Sequence, residues 1–358
     1  MEKMADIQKH PKKTGACKLI PTLFNKEGYV VHYLALQLYV KLGVKIQSIK
    51  KVLAFKQKPW MREFINLNTQ LRKEAKSEFD KDLYKLMTNS VYGKCLQNPC
   101  NKMDYRIVDN KKKFLKLSSR PNFKGFSVIN KNLVGVHMNK TSVCLDQIIY
   151  AGMVILDCAK THLYKFHYNY MRPMYGDSQR LLMTDTDSLV YHIMTEHDIY
   201  DDMKRNKKYF DTSNYPHDHP LFDLKRKRKT GLMKDETGGD PIVTFVGLRS
   251  KMYTFITNND EEMIRAKGLQ ASISKQLKLD DYVSALSITP VKTHEYAAIR
   301  SLKNNLFTVR GYKKGISGFD DKRFIRCSGI DTLAFGHYSL RGKSDNVRIC
   351  ECNLNNNM

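Results

Sequence analysis

The stretch Leu181-Leu-Met-Thr-Asp-Thr-Asp-Ser-Leu-Val-Tyr-His-Ile193 sets two carboxylates one residue apart inside an apolar run. Leu181 to Met183 and Leu189 to Ile193 read as two buried strands, with the turn-forming Asp-Thr-Asp-Ser as their connection. Asp185 and Asp187 then point to one side of an extended chain or share the tip of a tight hairpin. In either geometry one cation reaches both. Like charges this close repel unless a positive group sits between them, and a hard divalent ion with oxygen ligands suits that place. An Asp-rich turn that simply faces solvent fits the same residues.

Composition limits what such an ion serves. The 358 residues carry a formal charge of +25, with the basic residues spread along the whole chain. That balance points to a polyanionic partner, most simply nucleic acid. The 20 Tyr and 16 Phe argue for a real core and for stacking surfaces rather than a histone-like chain. Eight Cys lack metal-ligand spacing apart from the isolated Cys350-Glu-Cys352, so reduced thiols in an intracellular protein are expected. Met1 to Lys13 is polar and basic, unlike a secretory signal, and the longest apolar run, Ala151 to Leu156, is far too short to span a bilayer.

In chain order, a short disordered lead to about Ala16 is followed by helical spacing from Val30 to Leu42, which Gly43 ends. Val44 to Phe55 suits a strand or an exposed edge, and Pro59 breaks it. One long helix is predicted from about Met61 to Tyr92, with Phe79, Leu83, Leu86 and Met87 on its buried face. Lys85, Asn89 and Tyr92 share the opposite face, at i, i+4 and i+7, and Gly93 caps the helix. An ammonium, an amide and a phenol in line can hold a triphosphate and stack on a sugar and base. A basic solvated face ending in a tyrosine is the alternative. Alternating runs at Tyr105 to Val108 and Phe126 to Ile129 predict a β-hairpin excursion. Leu145 to Tyr170 reads as a long apolar helix ended by Pro173 and Gly176. Met194 to Thr230 is polar and irregular, and its Lys225-Arg-Lys-Arg-Lys229 run fits a nucleic-acid backbone contact, an import signal or a solvated loop. Val243 to Val246 and Met252 to Ile256 read as strands closing the sheet.

Three of these stretches, in this order, resemble the motifs of family B DNA polymerases. Lys85, Asn89, Ser90, Tyr92 and Gly93 match K-x-x-x-N-S-x-Y-G, Asp185 to Ser188 matches D-T-D-S, and Lys251 with Tyr253 matches K-x-Y. The likeness spans roughly Leu19 to Ser287 and is nearest to the protein-primed branch found in virus-like transposons and small DNA viruses. It implies an α+β fold, part of a right-hand polymerase with fingers helices, an antiparallel palm sheet and a thumb. By that reading residues 1–60 adjoin the palm, 61–94 form the fingers helix, 95–144 the second insertion of the protein-primed branch, 145–258 the palm, and 259–358 the thumb and a basic tail. The 100 positions between Lys85 and Asp185 leave room for that insertion.

The implied chemistry is template-directed nucleotidyl transfer in DNA replication with two Mg²⁺. Asp185 and Asp187 would ligate metal, Lys85 would hold the triphosphate, and Asn89, Ser90, Tyr92 and Gly93 would line the nucleotide site. Lys251, Tyr253 and Lys267 would grip DNA. The implied partners are a primer-template, deoxynucleoside triphosphates and a terminal priming protein, in the nucleus of a eukaryotic host. The chain departs from the family in three ways. The D-x-x-S-L-Y-P segment that supplies another metal-binding aspartate is not found, the proofreading exonuclease is missing, and Met183 stands where tyrosine is usual. It therefore resembles a carboxy-terminal fragment, expected to be inactive alone. A non-catalytic nucleic-acid-binding remnant of a mobile element is the second reading. A metal nuclease, which needs more clustered carboxylates, ranks third.

Overall fold

The computed structural model describes residues 19–287, 293–302, 305–326 and 331–340. The lead to Ala16, the Cys350-Glu-Cys352 pair and the Asn-rich end lie outside the described residues. The architecture is α+β: helices alternate with several small sheets, all antiparallel except one two-residue parallel pair. Among the described residues no helix is long and apolar enough to cross a membrane.

α1 spans Tyr33–Lys41 and buries Ala35 and Leu38, and Gly43 at φ +99° lets the chain turn away after it. A long-range tether fixes its start. The His32 N–H donates at 2.8 Å to the carboxylate of Asp157, a buried acid on a later helix. Val44 to Phe55 forms no strand, contrary to the sequence expectation, and its side chains lie in solvent. Alternation alone cannot make a strand without a neighbouring edge to complete its hydrogen bonds. Among the described residues, Phe55 is the one member of this stretch with a ring contact, stacking on Tyr150 with centroids 4.6 Å apart.

The single helix expected from Met61 is two, α2 (Arg62–Glu74) and α3 (Glu78–Cys95), packed on each other. The break falls where Ser77 caps the second helix, accepting the Asp80 N–H at 3.0 Å. The packed side of α3 also differs from expectation. Phe79 and Leu86 are 75% and 65% exposed, while Tyr84, Thr88 and Val91 are half-buried and Cys95 is buried. α3 meets both α2 and a later helix, so its contact surface follows its neighbours rather than its largest apolar side chains.

The basic segment that follows holds β1 (Asp104–Val108), α4 (Lys111–Ser118), β2 (Phe123–Asn130) and β3 (Leu133–Met138). The strands form an antiparallel sheet in the order β1-β3-β2, and α4 covers one face around Val108, Leu117, Val136 and Met138. The two runs expected to form a hairpin, Tyr105 to Val108 and Phe126 to Ile129, are β1 and β2, but they do not pair with each other: both flank β3, which forms the hairpin with β2.

α5 (Ile149–Phe166) runs on through a wide turn, His167–Met171, into α6 (Arg172–Tyr175). Pro173 therefore lies inside the helical path and does not end it. Proline has no N–H for the carbonyl four residues back, and just before it the Arg172 N–H bonds to His167 five residues back instead. Gly176, at φ +52°, is where the path stops. Near its start α5 meets the end of α3 so closely that a Cβ on Gly152 would lie 2.5 Å from Leu96 Cγ.

β4 (Gln179–Asp185) and β5 (Ser188–Ile193) form the predicted hairpin, half-buried rather than buried. Tyr191 and Ile193 of β5 pack with Phe166, Tyr170, Met171 and Tyr175, so the end of the long helical path seats the hairpin. The Tyr191 hydroxyl also meets His167 Nδ1 at 2.9 Å.

The polar stretch after Met194 is more ordered than its composition suggests. α7 (Ile199–Arg205) carries Asp202, 1% exposed, which takes hydrogen bonds from Tyr175 at 2.9 Å, His197 at 2.8 Å and Arg205. β6 (Phe210–Asp211) and β7 (Met233–Lys234) pair beyond it. Asp211 takes the Arg228 N–H at 2.7 Å, and Asp235 takes the Tyr215 hydroxyl at 2.8 Å and the Gly239 N–H at 2.9 Å.

β8 (Ile242–Arg249), β9 (Met252–Thr257) and β10 (Glu262–Ala266) make a separate three-stranded sheet. They do not close the sheet of the carboxylate hairpin by edge pairing, as the sequence suggested. Their core holds Val246, Leu248 and Met252 against Leu277, Tyr282 and Ile316. The short α8 (Ala271–Ser274) precedes α9 (Leu279–Leu286), which carries Tyr282. The stretch read as the start of a thumb begins with a strand of this sheet. β11 (Thr293–Leu302) and β12 (Asn305–Lys314) then form a long hairpin, and β13 (Phe324–Ile325) pairs with β14 (Thr332–Leu333).

Candidate active site

The β4–β5 turn is as tight as a turn can be. Asp185 pairs with Ser188, and the Asp187 N–H donates to the Asp185 carbonyl at 2.6 Å. That two-residue closure puts Thr186 at φ +62°. A β-branched residue rarely adopts this conformation, which costs about 1–3 kcal/mol and is characteristic of functional turns. The turn sets both carboxylates at one hairpin tip, Asp185 half-buried and Asp187 exposed.

A second hairpin tip meets the first. Lys251 occupies the β8–β9 turn at φ +61°, and its ammonium donates to Asp185 Oδ2 at 2.8 Å. The hydrogen bond and charge of Asp185 hold the Lys251 ammonium above the usual lysine range, and Asp187 adds to the effect. The structure therefore joins residues 66 positions apart and brings together two of the three motif stretches. Lys251 was expected to project beside Tyr253 from a strand; it lies instead in the turn. Tyr253 is on β9, its ring stacked between Phe245 at 5.9 Å and Phe255 at 6.5 Å. The Lys267 N–H donates to the Lys251 carbonyl at 3.0 Å, which fixes Lys267 beside the same turn.

The helix-face residues occupy their own surface. Lys85, Asn89 and Ser90 are exposed on α3, Tyr92 is half-buried, and the Ser90 hydroxyl donates to the Met87 carbonyl at 2.9 Å. Gly93 does not cap the helix, which continues to Cys95, but a Cβ there would meet nothing within 4 Å. A ligand can therefore approach its backbone. Among the described residues no hydrogen bond or ion pair joins this face to Asp185 or Asp187; the connection runs through α5, which packs on α3 and continues to the helix end beneath β5.

Two carboxylates at one hairpin tip fit a single oxygen-liganded divalent cation completed by substrate oxygens. A bridged pair of ions needs a further carboxylate, and among the described residues no group of three or more His, Cys, Asp or Glu comes together. In the structure the Lys251 ammonium takes one of the oxygens such an ion would use.

Sequence reasoning did not find the Asp202, Asp211 and Asp235 hubs. The signal was there in the short spacings Asp211-x-Ser213 and Asp235-x-Thr237, where the carboxylate accepts a backbone N–H two residues on.

Residues 2–173 match the family model for DNA polymerase type B, organellar and viral. The match covers just under half of the chain, including the Lys85 to Gly93 helix face and ending before the carboxylate hairpin. No curated protein and no solved structure matched the chain.

Proposed function

We propose that this chain is the fingers, palm and thumb portion of a type B DNA polymerase of the protein-primed branch, which extends a primer by nucleotidyl transfer. The observation that carries this reading is the 2.8 Å contact between Lys251 and Asp185. It brings a phosphate-binding type of side chain to a metal-binding type at the meeting of two strained turns. The family match over residues 2–173 supports the same reading from an independent part of the chain.

In this proposal Asp185 and Asp187 would hold Mg²⁺; of the two ions the chemistry uses, one would lower the pKa of the primer hydroxyl and the other would stabilise the leaving pyrophosphate. Lys251 exchanges its carboxylate partner for a primer phosphate, with Tyr253 on β9 and Lys267 beside the same turn. Lys85 binds the triphosphate, and Asn89, Ser90, Tyr92 and Gly93 line the sugar and base. A second metal ion needs another carboxylate-bearing strand, so the described residues alone form a catalytically silent half-site. Addition of a polypeptide bearing that aspartate should produce Mg²⁺-dependent primer extension that vanishes in Asp187→Ala. Extension that survives Asp187→Ala would end the catalytic reading.

The pairing of Asp185 with an ammonium also favours a second reading, a nucleic-acid-binding remnant with no catalysis. In that case duplex binding is salt-sensitive and indifferent to Mg²⁺ and to nucleotide.

A further inference from the structure

The β1-β3-β2 sheet packs α4 on one face, and its other face carries an aromatic ring held in an uncommon position. Tyr105 projects from β1 on the side opposite Val108, which belongs to the α4 core. Its phenol crosses the middle strand, and its hydroxyl meets the Ser127 hydroxyl of β2 at 3.0 Å. The residue it crosses is Gly135. A Cβ there would lie 1.6 Å from Tyr105 Oη and 2.1 Å from Cζ, so any other residue would lift the ring off the sheet. Gly135 is buried, while Tyr105 stays 40% exposed. The ring therefore lies along the sheet with one face on backbone and the other open to solvent. His137 stands beside it, the two rings 4.6 Å apart and inclined at 79°.

The surroundings favour a polyanion. Residues 95–144 hold ten Lys and Arg against two Asp. Lys102, Lys124 and Lys140 are exposed, each within two residues of the strand ends Asp104, Phe123 and Met138, which the register sets next to one another. Tyr105 and His137, which pair directly, come next in from that end. Asp104 at the same end is already paired with Arg106, at 3.0 Å. An open π-face beside ammonium groups matches an unpaired base and its phosphates: stacking accepts any base, and lysines hold the backbone.

We propose that this face of the sheet binds single-stranded nucleic acid, with one unpaired base stacked on Tyr105 and neighbouring phosphates on Lys102, Lys124 and Lys140. Gly135 and Ser127 are positioning residues, the first by leaving room for the ring and the second by holding its far end. The site is separate from the carboxylate hairpin and needs neither metal nor nucleoside triphosphate.

The test uses the full chain in EDTA, so that it stands apart from the polymerase reading, with fluorescein-labelled 20-nucleotide single strands followed by anisotropy over a range of salt. Tyr105→Leu keeps an apolar cover over Gly135 but removes the π-face. It should weaken binding by about 5-fold or more, the low end of what one stacked base contributes, and leave the slope of log K against log salt unchanged. Tyr105→Phe keeps the ring and should bind within about twofold of the wild type. Gly135→Ala, which retains the tyrosine but displaces it, should lose as much as Tyr105→Leu. Replacing Lys102, Lys124 and Lys140 together by Gln should instead flatten the slope by about 2, three phosphate contacts at about 0.7 each. On an abasic strand of the same length the wild type, Tyr105→Leu and Gly135→Ala should bind alike. Wild-type affinity for the base-bearing strand in both Tyr105→Leu and Gly135→Ala would overturn the proposal. So would a loss of equal size on the abasic strand, which would make the ring a structural element of the sheet.

Discussion

Replacing Asp202 with alanine should destabilise the support beneath the carboxylate hairpin more than any change at the hairpin itself. Asp202 is 1% exposed and takes three side-chain hydrogen bonds. Two come from His197 and Arg205, whose side chains are more than half exposed and recover water when released. Their loss costs at most about 1 kcal/mol each. The third donor is the hydroxyl of Tyr175, a buried residue at the end of the helical path that seats β5. Stranding that hydroxyl costs about 1–3 kcal/mol. The sum, about 1–5 kcal/mol, lowers Tm by about 2–4 °C per kcal/mol for a domain of about 150–250 residues. Thermal unfolding followed by circular dichroism reads it directly. Tyr175→Phe distinguishes the cause, because it should be destabilising in the wild type and stabilising in the Asp202→Ala background. An unchanged Tm in Asp202→Ala, or a Tyr175→Phe effect of the same sign in both backgrounds, would refute the reasoning.

The same carboxylate gives a pH dependence. Burial pushes the Asp202 carboxyl up, but the hydrogen bonds from His197, Arg205 and Tyr175 outweigh it and leave the group below the usual aspartate range. Its folded pKa is thus lower than its unfolded one, about 4, so the stabilisation is complete above that value and lost as pH falls through the folded pKa. Urea midpoints of the wild type should fall below about pH 4 more steeply than those of Asp202→Asn. At the junction of α3 with α5, Gly152→Ala should be nearly neutral. The gain in helix propensity, about 1 kcal/mol, offsets the shift of the flexible, partly exposed Leu96 side chain. Gly152→Val adds bulk against the same side chain and should cost about 1–3 kcal/mol in urea denaturation.

The sequence was most readable where local chemistry decides the structure. Asp-Thr-Asp-Ser between two apolar runs encodes a hairpin turn whatever surrounds it, and Gly43 marks the end of α1 in the same way. The Ser77 cap was equally local, but a continuous run of helical spacing hid it. The packed face of α3 is not legible in its own residues: Phe79 and Leu86 are large and apolar yet exposed, because the positions of α2 and α5 decide which side is covered. The path through Pro173 needed a widened turn that no residue pattern announces. Of the candidate site, the carboxylate tip and the helix face of Lys85, Asn89 and Tyr92 were visible as spacings. The contact between Asp185 and Lys251 was not, because it depends on how two separate sheets approach each other. The buried Asp202 and Asp211 are not legible either, because a polar stretch gives no sign of which carboxylates fold inward onto donors.

The most direct test of the account is a Mn²⁺ titration of the full chain, with the free ion read by electron paramagnetic resonance. If the Lys251 ammonium and a divalent cation share the Asp185 carboxylate, Lys251→Ala should bind Mn²⁺ several-fold more tightly than the wild type, and Asp187→Ala should bind it least. Identical Mn²⁺ binding in all three proteins would contradict the account.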